Sequence, residues 1–356
     1  MFIRSIAISG FRCLTEVKLE FSPRYNLIYG ANASGKTSLL EALAYLGRGK
    51  SFRGAPAASV IQHGAKELVL FASVRSGDKD VAIGVRNGRQ SLETRVDGDG
   101  NGGLAALAAA FPLQVIDPDV HKLVAGGPEE RRRFLDWMVF HVEHEYLQDW
   151  RRFRRVLKQR NALLKQRVSI RELRGWDEEF VLASERVHRQ RESVLQRGVP
   201  VIERIAGEML GGKVTFSYRR GWSEDESLDE CLRQHQERDF QLGGSQIGPH
   251  RAEVVIQTDE RRAKRLVSRG QQKLLASSLI IGGTQFVQEE SGRRLCLLLD
   301  DPAAELDSDS LGRILRAATS LDSQLILTSL NPELISFPEK PRVFHVEHGN
   351  IRAVDS

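Results

Sequence analysis

Residues 30–37 constrain the fold of this 356-residue chain more than any other segment does. They match the pattern G-x-x-x-x-G-K-[ST] completely, between a predicted strand at residues 26–29 and a predicted helix from Thr37 to Leu46. Such a loop directs backbone N–H groups at phosphate oxygens, and the helix N-terminus adds positive potential. We therefore predict a phosphate loop in which Lys36 bridges the β- and γ-phosphates of ATP and Thr37 coordinates Mg²⁺. The expected nucleotide-binding residues are Gly30, Ala31, Asn32, Ala33, Ser34, Gly35, Lys36 and Thr37.

A second segment supplies the acids that a phosphate loop needs for hydrolysis. The apolar residues Leu295–Leu299 predict a buried strand, and Asp300 and Asp301 follow it. Asp300 would hold Mg²⁺ through water, and Asp301 would orient the attacking water as a general base. Apolar strands often end in Asp, so the pair acquires its meaning only together with Lys36. The two segments predict an ATPase.

A third segment indicates the class of ATPase. Residues 267–271, Val-Ser-Arg-Gly-Gln, are similar to the L-S-G-G-Q signature of ABC ATPases and open a predicted helix. Ser268, Gly270 and Gln271 would then meet a γ-phosphate at a helix N-terminus. In ABC ATPases the opposite subunit makes this contact, so the resemblance implies an ATP-dependent homodimer with two ATP molecules sandwiched. Residues 304–307, Ala-Glu-Leu-Asp, resemble the D-loop that crosses that interface. A capped surface helix is the alternative interpretation of residues 268–271.

The order of predicted elements indicates an α/β lobe interrupted by a helical lobe. Alternating or continuous apolar runs predict strands at residues 2–8, 17–21, 26–29, 68–74, 81–86, 92–96, 213–218, 253–257, 295–299, 325–328 and 342–346. Helical spacing predicts one helix from Pro128 to about Arg167 and a second ending at Gly211, with a break at residues 168–177. Two antiparallel helices near 40 residues would make an arm of about 50–60 Å. We place the first lobe at residues 1–115 plus 290–356, and the second, with arm and signature, at 116–289.

Further blocks identify the chain as a member of the RecF family. The matching segments are residues 10–12 (Gly-Phe-Arg), 30–37, 40–42, 51–53, 128–136, 248–251 (Gly-Pro-His-Arg), 268–273 and 300–307. The blocks at 131–136 and 248–251 are not general ABC features, so they discriminate. The chain departs from the family pattern at Cys13, Ala252 and Ala304.

This resemblance implies a fold like the heads of SMC proteins, with a short helical arm in place of a long coiled coil. It also implies that Arg12 contacts the nucleotide. RecF membership implies a cytoplasmic, Mg-ATP-dependent dimer that hydrolyses ATP slowly and serves recombinational and replication-gap repair. Such a protein acts with RecO and RecR, helps place RecA on gapped DNA and supports the SOS response.

The net charge of +5 is concentrated in one part of the chain. Residues 151–174 contain ten Lys or Arg side chains and one acid, Glu172. A local basic strip suggests a polyanion partner, here phosphates of duplex DNA or of single/double-strand junctions, with single-stranded DNA as a further candidate. A solvated helix face is the alternative interpretation. The expected DNA contacts are Arg151, Arg152, Arg154, Arg155 and Lys158.

Composition excludes several other classes. Three distant cysteines without C-x-x-C spacing argue against a disulfide framework or a zinc site and favour a reducing cytoplasm. No apolar run reaches the roughly 18 residues of a membrane span. The competing interpretations are an SMC-like ATPase and an ABC-transporter ATPase subunit without a RecA-loading role. The second normally carries a switch His after a late strand, but Leu325–Ser329 contains none, and Thr328 is the candidate γ-phosphate sensor.

Overall fold

The computed structural model describes residues 1–88, 91–258, 261–263, 268–304 and 306–354. Val267 of the signature-like segment and Glu305 of the D-loop-like segment lie outside the described residues. The chain divides into two compact units, unit 1 formed by Met1–Val120 with Gly292–Ser356 and unit 2 by His121–Ser291. Unit 1 therefore contains the phosphate loop and the acidic pair, and unit 2 contains the signature-like segment.

Every strand that the sequence predicts overlaps an observed one. The strands are, in chain order, β1 (Phe2–Phe11), β2 (Leu14–Glu20), β3 (Tyr25–Tyr29), β4 (Glu67–Ser76), β5 (Lys79–Gly88), β6 (Leu92–Val96), β7 (Leu113–Ile116), β8 (Val214–Arg219), β9 (Glu253–Thr258), β10 (Arg261–Arg262), β11 (Cys296–Leu299), β12 (Gln324–Ser329), β13 (Arg342–Glu347) and β14 (Asn350–Val354). The α-helices cover Lys36–Arg48, Gly103–Ala110, Lys122–Ala125, Pro128–Val142, Tyr146–Gln166, Ile170–Leu210, Leu228–Leu242, Arg269–Ser291 and Ser308–Ser320. The sequence patterns do not predict β7, β14 or the helices at Gly103–Ala110, Leu228–Leu242 and Ser308–Ser320.

Unit 1 is built from two sheets with the phosphate-loop helix Lys36–Arg48 between them. An antiparallel sheet has the order β2-β1-β4-β5-β6, and a mainly parallel sheet has the order β14-β13-β3-β12-β11-β7. Only β14 runs antiparallel in the second sheet, next to β13. The helix packs on β1, β4 and β5 of one sheet and on β7 and β12 of the other. It is therefore covered on both sides.

Burial of this helix is a major source of stability in unit 1. Leu39, Leu40, Leu43 and Leu46 are fully buried, and β4 buries every second side chain toward the same core. Burying four leucines is worth about 6–12 kcal/mol as an upper value. Gly47 lets the helix approach its neighbours, because a Cβ there would lie 2.7 Å from the Phe111 carbonyl oxygen. The phosphate loop is thus attached to the most deeply buried helix of the unit.

The helical arm of unit 2 differs from the prediction. The first long helix is two helices, Pro128–Val142 and Tyr146–Gln166, and the second begins at Ile170. Arg167 adopts a left-handed conformation (φ 53) that ends one helix, and Ser169 and Glu172 form a capping box that starts the next. This local start signal outweighs the tendency of Gly175 to break a helix, and Gly175 lies inside the helix.

The arm is consequently shorter than predicted. Ile170–Leu210 has 41 residues, about 60 Å, but its partner Tyr146–Gln166 has 21, about 30 Å. The paired segment therefore extends about 30 Å rather than the 50–60 Å expected from the sequence. A small sheet in the order β10-β9-β8 and the helix Leu228–Leu242 complete unit 2.

A buried arginine of the long helix connects three elements of unit 2. Arg191 is 2% exposed and donates to both Asp136 carboxylate oxygens at 2.7 and 3.0 Å and to the Pro249 carbonyl at 2.7 Å. Tyr146 donates its hydroxyl hydrogen to the same carboxylate at 2.5 Å. Burial acts to lower the pKa of Arg191, but Tyr146 and Asp136 raise it above its ordinary value. The cation is paired and contacts all three elements.

Arg191→Met should lower the free energy of unfolding of the protein by about 3–5 kcal/mol, because it removes a buried cation and leaves the half-buried Asp136 carboxylate and the Pro249 carbonyl without their partner. Arg204→Met is the matched control on the same helix, since Arg204 pairs with Glu208 at an exposed position and should lose less than about 1 kcal/mol. Urea unfolding of both variants measures the difference. Equal losses in the two variants would contradict a structural role for the Arg191 contacts.

Candidate nucleotide-binding site

The phosphate loop follows β3 directly and has the backbone that its glycines permit. Gly30 and Gly35 have φ angles of 159 and 117, and a Cβ at Gly30 would collide with the carbonyl oxygen of Val346 on β13. Ala33 is also left-handed, with φ 59, a conformation that costs an L-residue about 1–2 kcal/mol. The loop is therefore held by its surroundings in a curled form that local preference alone would not select.

Lys36 lies inside this loop. Its Nζ donates to the carbonyl oxygens of Gly30 at 2.8 Å and Ala31 at 2.9 Å, and the residue is 8% exposed. Burial lowers the pKa of Lys36, whereas the negative charges of Asp301 and Asp300 raise it. The ammonium group is thus close to both acids and bound only to neutral carbonyls, which anionic phosphates can replace.

The carboxylate of Asp300 is hydrogen-bonded to two threonines at the carboxyl edge of the parallel sheet. Its Oδ1 accepts from Thr37 Oγ1 at 3.0 Å and from Thr328 Oγ1 at 2.8 Å. Burial raises the pKa of Asp300, and the two hydroxyl hydrogen bonds act in the opposite direction. The structure therefore brings Lys36 and Thr37 together with Asp300, which lies 263 positions after Thr37 in the sequence.

These oxygen donors fit Mg²⁺. Mg²⁺ usually takes one or two protein oxygens and completes its shell with water and substrate phosphates. Among the residues that the structure describes, no group of three or more His, Cys, Asp or Glu side chains could form a metal cage by itself. Thr37 and Asp300 would therefore hold the ion only together with a nucleotide.

Thr328 lies at the candidate site and contacts both acids. It is fully buried, its hydroxyl hydrogen goes to Asp300, and its oxygen accepts the N–H of Asp301 at 2.9 Å. A hydroxyl has one hydrogen, so Thr328 offers none to a γ-phosphate in this conformation. It fixes the two acids in this conformation, and its role as a γ-phosphate sensor stays a prediction. Asp301, with φ 44, is held in a left-handed conformation by this contact.

Arg12 is engaged by a buried acid of the phosphate-loop helix. It forms a bidentate pair with Glu41 at 2.8 and 3.0 Å and donates to the Ser59 carbonyl at 2.9 Å. Glu41 is completely buried and also accepts a hydrogen bond from the Ser51 hydroxyl. Arg12 thus orients the phosphate-loop helix and the loop after it, which contains Ser51 and Ser59. The contact of Arg12 with nucleotide stays a prediction.

Asp117 is a candidate site residue that the sequence analysis does not identify. It follows β7, and Asp300 follows β11 in parallel register, with the Asp300 N–H donating to the Ile116 carbonyl at 2.9 Å. Burial, Asp119 and Asp300 raise the pKa of Asp117 to about 6. A sequence pattern could have identified Asp117, because Leu113–Ile116 followed by Asp117 repeats the pattern of residues 295–300, an apolar strand followed by an acid.

The signature-like residues of unit 2 form a capping box. Ser268 Oγ accepts the Gln271 N–H at 3.3 Å, and Gln271 Oε1 accepts the Ser268 N–H at 2.9 Å. Ser268 is exposed and Gly270 is half-buried at the N-terminus of the helix Arg269–Ser291. The capped-helix interpretation therefore describes these residues in this state, and their contact with a γ-phosphate stays a prediction. In the D-loop-like segment, Asp307 caps the helix Ser308–Ser320.

The basic strip divides between the surface and the core. Arg151, Arg154, Arg155 and Lys158 are exposed, with Arg154 stacked on Trp150. Arg152 is half-buried and its guanidinium is already paired with a carboxylate, because it forms a bidentate pair with Glu179 at 2.5 and 2.7 Å.

Arg160 is a buried member of the basic strip and is not among the expected DNA contacts. It is completely buried and paired with Asp177 at 2.9 Å and Asp239 at 2.7 Å. It follows Phe153 by seven residues and therefore lies on the buried side of its helix. The exposed basic face is defined here as Arg151, Arg154, Arg155 and Lys158.

Comparison with known proteins places this site in a family. The family described as RecF/RecN/SMC N terminal domain matches residues 2–352. The chain is 37% identical to the DNA replication and repair protein RecF of Cellvibrio japonicus over 99% of both chains. It is 40% identical to the RecF of Azotobacter vinelandii over 99% of this chain and 98% of that one. The chain belongs to the RecF family.

Solved structures agree with this family membership. A structure described as the recombination mediator protein RecF with ATP in the RecFOR pathway has a TM-score of 0.90 and 25% identity, covering 99% of this chain and 98% of that one. An Smc head bound to the C-terminal winged-helix domain of ScpA shares the fold, with a TM-score of 0.59 and 14% identity. The SMC-head-like α/β fold expected from the sequence is confirmed. No helix among the described residues is long and apolar enough to cross a membrane.

The blocks that distinguish the RecF family meet in unit 2. Arg131 forms a bidentate pair with Glu253 at 2.7 and 3.1 Å, and Arg132 donates to the Ala252 carbonyl at 2.7 Å. His250 Nε2 donates to the Ser245 carbonyl oxygen at 2.8 Å, and burial lowers the pKa of His250 to about 4, so it is neutral at physiological pH. The block at 131–136 is therefore linked by part-buried contacts to the residues that directly follow the block at 248–251.

Asp117→Asn should stabilise the protein in a pH-dependent way. Because the folded state raises the pKa of Asp117 from 3.8 to about 6, wild-type stability falls as pH rises through this window and carries the full penalty above it. The penalty is about 2–3 kcal/mol. Urea unfolding should show the variant about 2 kcal/mol more stable near pH 7.5, with a smaller difference near pH 5.

Asp78→Asn, in the exposed turn between β4 and β5, is the control and should show no such trend. A difference for Asp117→Asn that grows toward acidic pH would have the wrong sign and would refute the buried-carboxyl explanation.

Proposed function

We propose that this RecF-family chain is an ATP-dependent DNA-binding protein of recombinational and replication-gap repair, which uses slow ATP hydrolysis as a switch. The observation that carries the proposal is the joint contact of Thr37 and Thr328 with Asp300 beside the Lys36 ammonium. These groups assemble the phosphate and Mg²⁺ contacts of an ATPase on rigid elements. A DNA-binding protein without ATP chemistry would have no use for this arrangement.

Lys36 would exchange its two carbonyl partners for the β- and γ-phosphates. The exchange replaces neutral acceptors by anionic ones, and such charge-assisted hydrogen bonds are roughly twice as strong. Thr37 and Asp300 would hold Mg²⁺, which neutralises charge on the phosphate oxygens. Asp301 would orient the attacking water and accept its proton. Thr328 would keep both acids in register by its two hydrogen bonds.

Dimerisation would complete the site from a second subunit. Ser268, Gly270 and Gln271 lie at the exposed N-terminus of a 23-residue helix, where backbone N–H groups attract an anion. The Gln271 N–H bond to Ser268 is 3.3 Å, long enough to be exchanged for a phosphate oxygen at little cost. ATP would thus join two subunits head to tail on DNA, and hydrolysis would release them.

Partners follow from family membership. We place the protein in the cytoplasm, acting with RecO and RecR to load RecA onto gapped DNA and supporting the SOS response. The relatives named RecF are DNA replication and repair proteins, and the solved structure with ATP is described as part of the RecFOR pathway. An SMC-like role without RecA loading is the alternative. The RecF-like blocks in unit 2 favour the RecA-loading role.

The molar mass in solution tests the ATP switch. Light scattering of wild type should show a doubling of mass with Mg-ATP, and Lys36→Met should remain a monomer because it cannot hold the phosphates. Duplex DNA is added last. A wild-type protein that binds ATP but remains monomeric in the presence of DNA would mean that Ser268 and Gly270 only cap their helix.

The exposed basic face is tested by salt dependence. Replacing Arg151, Arg155 and Lys158 together by Gln should weaken duplex binding at least about tenfold and reduce the slope of log affinity against log salt by up to about 3. The control replaces three exposed arginines on other helices of unit 2, namely Arg204, Arg233 and Arg238. Fluorescence anisotropy of duplex DNA over a salt series measures the affinity and the salt slope of each variant. A slope that changes equally in the two variants would locate the DNA contacts elsewhere.

A further inference from the structure

The hairpin of β13 and β14 reaches the phosphate loop with its turn. The turn consists of His348 and Gly349, because Glu347 pairs with Asn350. Both turn residues have positive φ angles, 47 and 80, as a type I′ turn requires. A two-residue turn of this type fixes the directions of its backbone groups. It can therefore hold a neighbouring stretch of backbone in place.

The turn donates one hydrogen bond to the phosphate loop. The Gly349 N–H donates to the Ser34 carbonyl oxygen at 2.8 Å. This carbonyl and the Gly35 N–H belong to the same planar trans peptide, so they point in opposite directions. Among the residues that the structure describes, none accepts a hydrogen bond from the Gly35 N–H. Gly349 thus sets the direction of a free donor in the phosphate loop.

Close packing fixes the same place sterically. A Cβ on Gly349 would lie 2.3 Å from the carbonyl oxygen of Cys13, in the turn between β1 and β2. A Cβ on Gly35 would lie 3.1 Å from Cys13 Sγ and 3.5 Å from Gly349 Cα. Both glycines also have φ angles that favour glycine. Position 349 therefore admits only glycine without displacing the backbone around it.

The same hairpin also supports the beginning of the phosphate loop. A Cβ on Gly30 would lie 2.3 Å from the carbonyl oxygen of Val346, three residues before Gly349. The hairpin consequently contacts the loop at Gly30 and again at Ser34 and Gly35. Lys36 follows directly, so both ends of the backbone that surrounds its ammonium group are restrained by one hairpin.

We infer that Gly349 is a positioning residue of the nucleotide site, which aims the Gly35 N–H at a phosphate of the bound nucleotide. The inference rests on the proposed function, because it needs a nucleotide in the phosphate loop. A phosphate oxygen that accepts from this N–H makes a charge-assisted hydrogen bond. The hydrogen bond from Gly349 to the other end of the peptide strengthens that donor, because linked hydrogen bonds polarise one another. Gly349 acts only through the peptide between Ser34 and Gly35.

Gly349→Ala should weaken nucleotide binding. Its Cβ displaces the turn from Cys13 and breaks the hydrogen bond to Ser34, so the Gly35 N–H is no longer held in direction. Loss of one charge-assisted hydrogen bond should raise the dissociation constant of Mg-ATP about ten- to a hundredfold.

Gly77→Ala is the matched control. Gly77 lies in the exposed turn between β4 and β5 with φ 60, and a Cβ there meets no atom within 4 Å. This variant carries the same left-handed strain without a collision. It should bind Mg-ATP within about twofold of wild type, because its turn is remote from the phosphate loop.

The experiment is equilibrium dialysis of labelled ATP with Mg²⁺ against the full chain, each variant well below its own midpoint of thermal unfolding. Strain lowers that midpoint in both variants, whereas only Gly349→Ala should lose ATP affinity. A Gly349→Ala protein that binds Mg-ATP as tightly as wild type overturns the inference and leaves the proposed function intact. Wild type that binds no Mg-ATP overturns the proposed function and the inference with it.

Hydrogen exchange of wild type decides the matter when Gly349→Ala does not fold. Mg-ADP should slow exchange of the Gly349 N–H at least about threefold, because a phosphate on the Gly35 N–H strengthens the hydrogen bond across the peptide. The Gly77 N–H should exchange at the same rate with and without Mg-ADP. No slowing at Gly349, or equal slowing at both glycines, overturns the inference.

Discussion

The shared hydrogen bonding of Asp300 is the interaction on which the nucleotide site depends. One carboxylate oxygen accepts from Thr37 at the start of the phosphate-loop helix and from Thr328 on β12, while Asp300 itself directly follows β11. Three elements distant in sequence are joined at a single atom. A buried carboxylate requires such partners, because burial without them strongly disfavours its charged form. The requirement that stabilises the fold is therefore the one that brings together the two residues, Thr37 and Asp300, proposed to hold Mg²⁺.

Rigidity around this contact explains how the phosphate loop keeps its shape. Ala33 and Asp301 are both left-handed, and each conformation costs of order 1 kcal/mol or more. The cost is sustained because the helix is buried between two sheets and Thr328 holds the Asp301 N–H. A loop curled in advance needs little reordering when phosphates arrive. Local strain and deep burial thus act together to preorganise the site.

The sequence predicts the parts of this fold that depend on short-range patterns. Alternating strands, the phosphate loop and the strand ending in Asp300 all have local signals, and they are found where expected. Periodicity fails at residues 143–145, because Val142, Tyr146 and Trp150 continue the spacing of four across the break between two helices. Charge is misleading for Arg160, because it suggests a surface position, whereas the place of Arg160 in the periodic pattern correctly indicates the core. Asp117 has a local signal, but only the register of β7 beside β11 gives that acid a meaning.

Unit 2 shows how one set of residues serves both stability and recognition. Ser268 and Gln271 satisfy the first N–H groups of their helix, which a buried helix of 23 residues needs in the absence of a ligand. A phosphate at the same place would satisfy those groups with a charged acceptor, so it competes with the cap rather than adding to it. The net gain is the difference between a charge-assisted hydrogen bond and a neutral one. Such a modest difference would suit the proposed switch, because slow hydrolysis of one phosphate bond would then be enough to restore the cap and separate the subunits.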